Sequence, residues 1–187
     1  MNGTSDNPMT LPEIQTALAQ GQMQLSTIVE SVEAEMFFAH APDTWSMAEN
    51  IVHLIDAAEQ FSTGLASPKV TLHQRFGTPN HSSRTFGQLR SVYAEILAGG
   101  GRSNAANTPQ NINVDVHFSH ARDDIMQRWQ RATRQLFVGL RSWNETELDA
   151  TQVPHPLLGN LTVREMLFFF VFHDAHHLAE MRKLGYE

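Results

Sequence analysis

An all-α helix bundle is the architecture this sequence predicts, on three observations. Helix-start signatures punctuate the chain, apolar residues at helical spacing follow each of them, and nothing convincingly alternates with period two. The signature is the capping box, Ser or Thr followed three residues later by Glu or Gln. It occurs at Thr10…Glu13, Ser46…Glu49, Thr85…Gln88 and Thr162…Glu165. Single matches arise by chance, so each counts only because of the apolar segment behind it.

The elements follow in order. After Thr10, Ile14, Leu18, Leu25, Ile28, Val29, Val32 and Met36 form a helical stripe that ends near Pro42. After Ser46 come Met47, Ile51, Leu54, Ile55, Ala58, Phe61 and Leu65, stopped by Pro68. A short segment, Phe86 to Leu97, ends at Gly99-Gly100-Gly101. From about Ser119 a long helix carries Ala121, Ile125, Trp129, Ala132, Leu136 and Leu140. The last helix runs from about Val163 to Leu184, and Leu161 and Met166 stand where a hydrophobic staple would hold its start. Residues 67–84 and 99–118 are rich in Gly, Pro, Asn, Ser and Thr and read as surface connections. Val153 to Leu161, with two prolines and Gly159, reads as a structured turn. Four long helices and one short one, joined by long connections, make a four-helix bundle with an extra helix. Residues 1–10 are expected to be a disordered tail, and 11–187 a single domain.

Composition narrows the function classes. The formal net charge is −7 with no Lys/Arg stripe, so nucleic acid is not an expected partner. The absence of cysteine excludes a disulfide framework, thiolate metal ligands and a cysteine nucleophile. Met1 to Thr10 has neither the basic nor the apolar region of a signal peptide. The longest apolar run, Met166 to Phe172, is far short of the roughly 20 residues that span a bilayer. A soluble, cytoplasmic protein with no membrane partner is the expectation.

The last helix carries the candidate chemistry. At about 100° per residue, Met166, Phe169, Phe170, His173, His177, Glu180 and Leu184 share one stripe. Its first half is apolar and three polar residues interrupt the second. Burying such groups unpartnered costs on the order of 1–3 kcal/mol each, so something must satisfy them. His173 and His177 are spaced i, i+4, which points both imidazoles at a common place, as two ligands of one Zn²⁺, Ni²⁺ or Fe²⁺ require. Hydrogen-bonded boundary histidines would have the same spacing. His176 points away from this pair and reads as an edge histidine. Glu180 is a candidate ligand, a partner to a ligand or a general base, against the plain alternative of a solvated carboxylate. A third ligand must come from His40, His53, His73, His81, His117, His120 or His155, and only His53 stands within a strong helix. Periodicity sets His53 opposite Ile51, Leu54 and Ala58, beside Glu49, Asp56 and Gln60, on what looks like a solvated face.

Three stretches add a different kind of information. Trp45-Ser46-Met47-Ala48-Glu49-Asn50-Ile51-Val52-His53-Leu54 resembles the second-helix motif of the DinB-like superfamily. His155-Pro156-Leu157-Leu158-Gly159-Asn160-Leu161-Thr162-Val163-Arg164-Glu165 resembles that family's lead-in to its final helix. His173-Asp174-Ala175-His176-His177-Leu178-Ala179-Glu180 is similar to its closing His-x-x-His-His motif. The stretches stand in the family's order, and the resemblance extends over about residues 11–184. It implies a DinB-like four-helix bundle holding a divalent transition metal (Zn, Ni or Fe) through one histidine of the second helix and two of the last. Those roles map onto His53, His173 and His177. The family more often has Gln where this chain has Glu180, and segment 86–97 with its glycine tail looks like an insertion.

Three neutral imidazoles would leave one to three coordination positions open, as catalytic rather than structural sites do. Glu49 and Asp56, one turn either side of His53, could fix an imidazole tautomer or stand solvated. Relatives of this kind include metal-dependent hydrolases and transferases that use low-molecular-weight thiols. The resemblance therefore implies a metal-assisted hydrolase or thiol-dependent transferase acting on a small molecule, with Glu180 as a candidate catalytic residue. A homodimer is compatible with that reading. The competing expectations are a bundle that the metal merely staples, and a stress-response interaction protein without metal.

Overall fold

A computed structural model describes residues 9–40, 44–101, 112 and 117–184. Its long helices are α1 (Leu11–Glu30), α3 (Met47–Leu65), α6 (Phe118–Leu140) and α8 (Val163–Lys183). Shorter ones are α2 (Ala34–Phe37), α4 (Lys69–Phe76), α5 (Phe86–Ala98) and α7 (Glu145–Ala150). All four expected capping boxes form, with reciprocal hydrogen bonds at Thr10, Ser46, Thr85 and Thr162. Each satisfies backbone N–H groups that a helix start leaves without internal partners.

Four local expectations need correction. The first helix stops at Glu30, and the stripe continues only as the short α2, so Val32 is buried from a turn. The supposed connection 67–84 contains α4, which closes on Gly77 at φ 75°, a conformation glycine adopts without steric cost. Residues 145–150 form α7 behind an Asn144…Glu147 capping box, which starts on Asn rather than Ser or Thr and opens a helix too short to carry an apolar stripe. The turn before the last helix is an antiparallel hairpin, β1 (Gln152–His155) with β2 (Gly159–Thr162), although no period-two run marks it. The expected tail falls mostly on residues 1–8, which lie outside the described residues, as does much of the connection 99–118. Thr10 caps α1 and Met9 leads into it: Glu13 accepts from both backbone N–H groups.

The bundle is arranged around α8. Helix α1 packs along it, α5 covers another side, and α3 meets it near its C-terminal half while packing mainly on α6. Buried residues consequently surround most of α8, from Val163 through Phe168, Phe170 and Phe172 to Met181. Aromatic rings lock α5 to it: Phe86 against Phe168 and Phe172, Tyr93 against Phe169 and Phe172. The segment that looks like an insertion is thus part of the core. No helix among the described residues is long and apolar enough to cross a membrane.

Candidate metal centre

The C-terminal half of α8 and the N-terminal half of α3 bring three imidazoles together. His53 Nε2 lies 3.1 Å from His173 Nε2, which lies 3.1 Å from His177 Nε2. Among the described residues these three form the one group of metal-ligating side chains that converges this way, with ligand atoms within 4.8 Å of one another. His173 and His177 are buried and His53 is half-buried. His53 faces α8 because α3 is covered from two sides, mainly by α6 and also by α8, which meets the flank that carries His53. The wheel set His53 apart from the apolar stripe and so on a solvated face; α8 covers that face, and His53 is half-buried there.

The environment keeps His173 and His177 neutral. Burial, then the neighbouring histidines, holds His173 well below the usual histidine range, and burial with His53 and His176 does the same to His177. Nitrogen lone pairs 3.1 Å apart in a dry site repel unless a proton or a cation lies between them. Ligands about 2.0–2.1 Å from a tetrahedral ion stand about 3.3–3.4 Å apart, so the spacing, the donor type and the neutral state all suit a divalent transition metal.

The surroundings are aromatic on two sides. Phe169 stacks on His173 at 4.6 Å between ring centres, and His155 meets Phe169 edge-on at 4.3 Å. Trp45, half-buried, lies 5.2 Å from the His53 ring and nearly parallel to His177 at 5.9 Å. His155 accepts at Nδ1 from the backbone N–H groups of Leu157 and Leu158, and burial pushes it down to about 4. It is therefore a neutral imidazole with its proton on Nε2.

The remaining expected residues go elsewhere. Glu180 accepts from Lys183 Nζ at 2.6 Å and is not part of the three-histidine group. Glu49 caps α3 and stands 3.4 Å from His40, while Asp56 accepts from Arg128. His73 pairs with Thr151, His81 with the Ser82 carbonyl, and His176, His117 and His120 are exposed. Sequence reasoning missed Asn50, whose Oδ1 accepts from His177 Nδ1 at 2.7 Å. Its position one turn before His53, on the α8-facing flank, was the available signal.

These features define a helical bundle with a three-histidine centre between its second long helix and its last. The family model of the DinB superfamily matches residues 17–181, and the chain belongs to that superfamily. Among solved structures it is similar to YfiT from Bacillus subtilis, described as a probable metal-dependent hydrolase with an unusual four-helix bundle topology. The identity is 16%, the TM-score 0.53, and the match covers 93% of this chain and 85% of that one, a likeness of fold. No curated protein sequence matches.

Proposed function

We propose that this protein is a metal-dependent enzyme acting on a small molecule, with hydrolysis as the first reading. His53, His173 and His177 would hold one divalent transition metal. The observation that carries this is the donor set: three imidazoles converge from two helices, two of them held neutral by burial, and no fourth protein ligand joins them among the described residues. Such a set leaves positions for an outside molecule, whereas a purely structural zinc site is closed by four protein ligands. When bound, the ion supplies a Lewis acid and acidifies a water or thiol that reaches it. Phe169 shields His173 from water, and Trp45 offers an apolar wall beside His53 and His177 at the half-buried edge. That wall also supports a second reading, transfer of a low-molecular-weight thiol whose body packs on the indole.

Elemental analysis of purified protein is expected to find close to one equivalent of Zn, Ni or Fe, absent from His173→Ala. A thiol titration followed in the visible spectrum of the Co²⁺-substituted protein then separates the two reactions. Thiol bound only to the loaded protein favours transfer, and ester or amide turnover without thiol favours hydrolysis. An ion closed to both water and thiol would leave a structural staple instead.

A further inference from the structure

We propose that Asn50 is a positioning residue of this centre, fixing the tautomer of His177 so that its Nε2 lone pair faces His53 and His173. The second half of the proposal, that this serves a metal, rests on the metal-dependent reading above.

The orientation of the Asn50 amide is set by its surroundings. The side chain is 3% exposed, and Nδ2 donates to the Ser46 carbonyl at 2.9 Å and towards the Trp45 carbonyl at 3.4 Å. Flipping the amide would put its oxygen against the Ser46 and Trp45 carbonyl oxygens and lose both of the contacts that Nδ2 makes. Oδ1 therefore faces His177 Nδ1 at 2.7 Å, and because Oδ1 only accepts, Nδ1 carries the proton. A neutral imidazole protonated there has its lone pair on Nε2, the atom 3.1 Å from His173 Nε2.

His173 is the contrasting case. Its Nδ1 is fully buried and has no hydrogen-bond partner, so no side chain imposes a tautomer on it. A buried N–H without an acceptor is rarer than a buried acceptor without a donor. In the metal-free protein His173 therefore keeps its proton on Nε2 and donates it to the bare Nε2 of His177. The centre thus has one imidazole that Asn50 fixes and one that adapts. Ligands with a hydrogen-bonded second nitrogen typically lose 10–100-fold in metal affinity when that partner is removed.

The test uses full-length protein labelled with ¹⁵N-histidine, stripped of metal, with two-bond ¹H–¹⁵N correlations at pH 7.5 and a Zn²⁺ competition titration. Wild type is expected to show His177 protonated on Nδ1. Asn50→Leu is expected to lose that preference and to raise the Zn²⁺ dissociation constant by about 10–100-fold. In a folded Asn50→Asp one oxygen still accepts from Nδ1, although the other replaces the donor to the Ser46 carbonyl, and the variant is expected to hold the Nδ1–H tautomer and bind Zn²⁺ far more tightly than Asn50→Leu. Loss of Zn²⁺ affinity in Asn50→Leu alone could reflect packing; the tautomer and the Asp rescue could not. An Nε2–H tautomer of His177 in metal-free wild type overturns the proposal, and this spectrum needs no variant to fold. Unchanged Zn²⁺ affinity in a folded Asn50→Leu overturns it too. Failure of the metal reading is separate: it appears as wild type that binds no Zn²⁺ while keeping the Nδ1–H tautomer, and then only the claim that Asn50 serves a metal falls.

Discussion

The two ends of α8 bury polar groups in opposite ways. At the N-terminal end Glu165 is wholly buried, but every direction of its carboxylate is used. It accepts from the Arg84 backbone N–H and guanidinium on one side and from the Thr162 N–H on the other. Burial alone would raise this carboxyl; Arg84 and the two backbone N–H groups outweigh it and hold it below the usual range. Ser83, Asp149 and Arg164 continue the network. In the C-terminal half of α8 His173 Nδ1 has no partner, and burial pushes Asp174 up to about 8. The first region is a closed polar network that serves folding. The second leaves a buried ring nitrogen unsatisfied beside a carboxyl that burial keeps from ionising, and natural folds tolerate such violations mainly where a function requires them.

The largest expected effect breaks the closed end. Arg84→Met leaves the Glu165 carboxylate buried without its cation and is expected to cost about 3 kcal/mol, the low end for a broken buried pair because Arg84 still touches water. Urea denaturation at pH 7 measures it. The folded pKa of Glu165 is lowered, so its contribution is present above about 4.5 and lost as pH falls through the folded value. The wild-type and Arg84→Met curves should therefore converge in acid. Metal bound per folded molecule should not change; if it does, the two ends are not independent.

Next in size is a gain at the open end. The folded pKa of Asp174 is raised above its unfolded value of 3.8, so its contribution is whole below 3.8 and lost as pH rises towards 8. Asp174→Asn cannot ionise, and in metal-free protein at pH 7 it should be more stable than wild type by on the order of a few kcal/mol. A gain that stays constant from pH 4 to 8 would show that ionisation of Asp174 is not the cause. Somewhat smaller is the metal itself. At 100 times its dissociation constant a bound ion stabilises the fold by about 2.7 kcal/mol, and His173→Ala should abolish that increment. Paired melting curves with metal and with chelator measure it.

How legible each region was follows from the same contrast. Capping boxes and apolar stripes are local, so the four long helices could be read from residues such as Thr10, Ser46 and Leu136. The i, i+4 pair His173 and His177 was equally local. His53 was legible only by resemblance, because a helical wheel shows one polar flank but cannot say that α8 covers it. Asn50 was silent, since its role depends on the Ser46 carbonyl and an imidazole 127 residues away. The hairpin β1–β2 hid because each strand is four residues long and one contains Pro154. Short strands carry too few residues for alternation to emerge.

The smallest effect separates the fold's acid sensitivity from the centre's. His155 sits in the hairpin, and the Leu157 and Leu158 N–H groups donate to its Nδ1. Its folded value is pushed down to about 4 from 6.5 by burial, so the folded protein binds fewer protons than the unfolded chain between those pH values. Stability from this residue is therefore present above 6.5 and declines as pH falls to about 4, by on the order of 1.4 kcal/mol per pH unit at most. Asparagine can accept from the backbone two residues on without titrating in this range. His155→Asn is thus expected to stay within about 1 kcal/mol of wild type at pH 7 and to fall less steeply between pH 6.5 and 5. The comparison must be made without metal, because His173 and His177 are also held neutral by burial and contribute their own decline. Equal slopes for variant and wild type would show that His155 contributes nothing to the acid sensitivity of the fold.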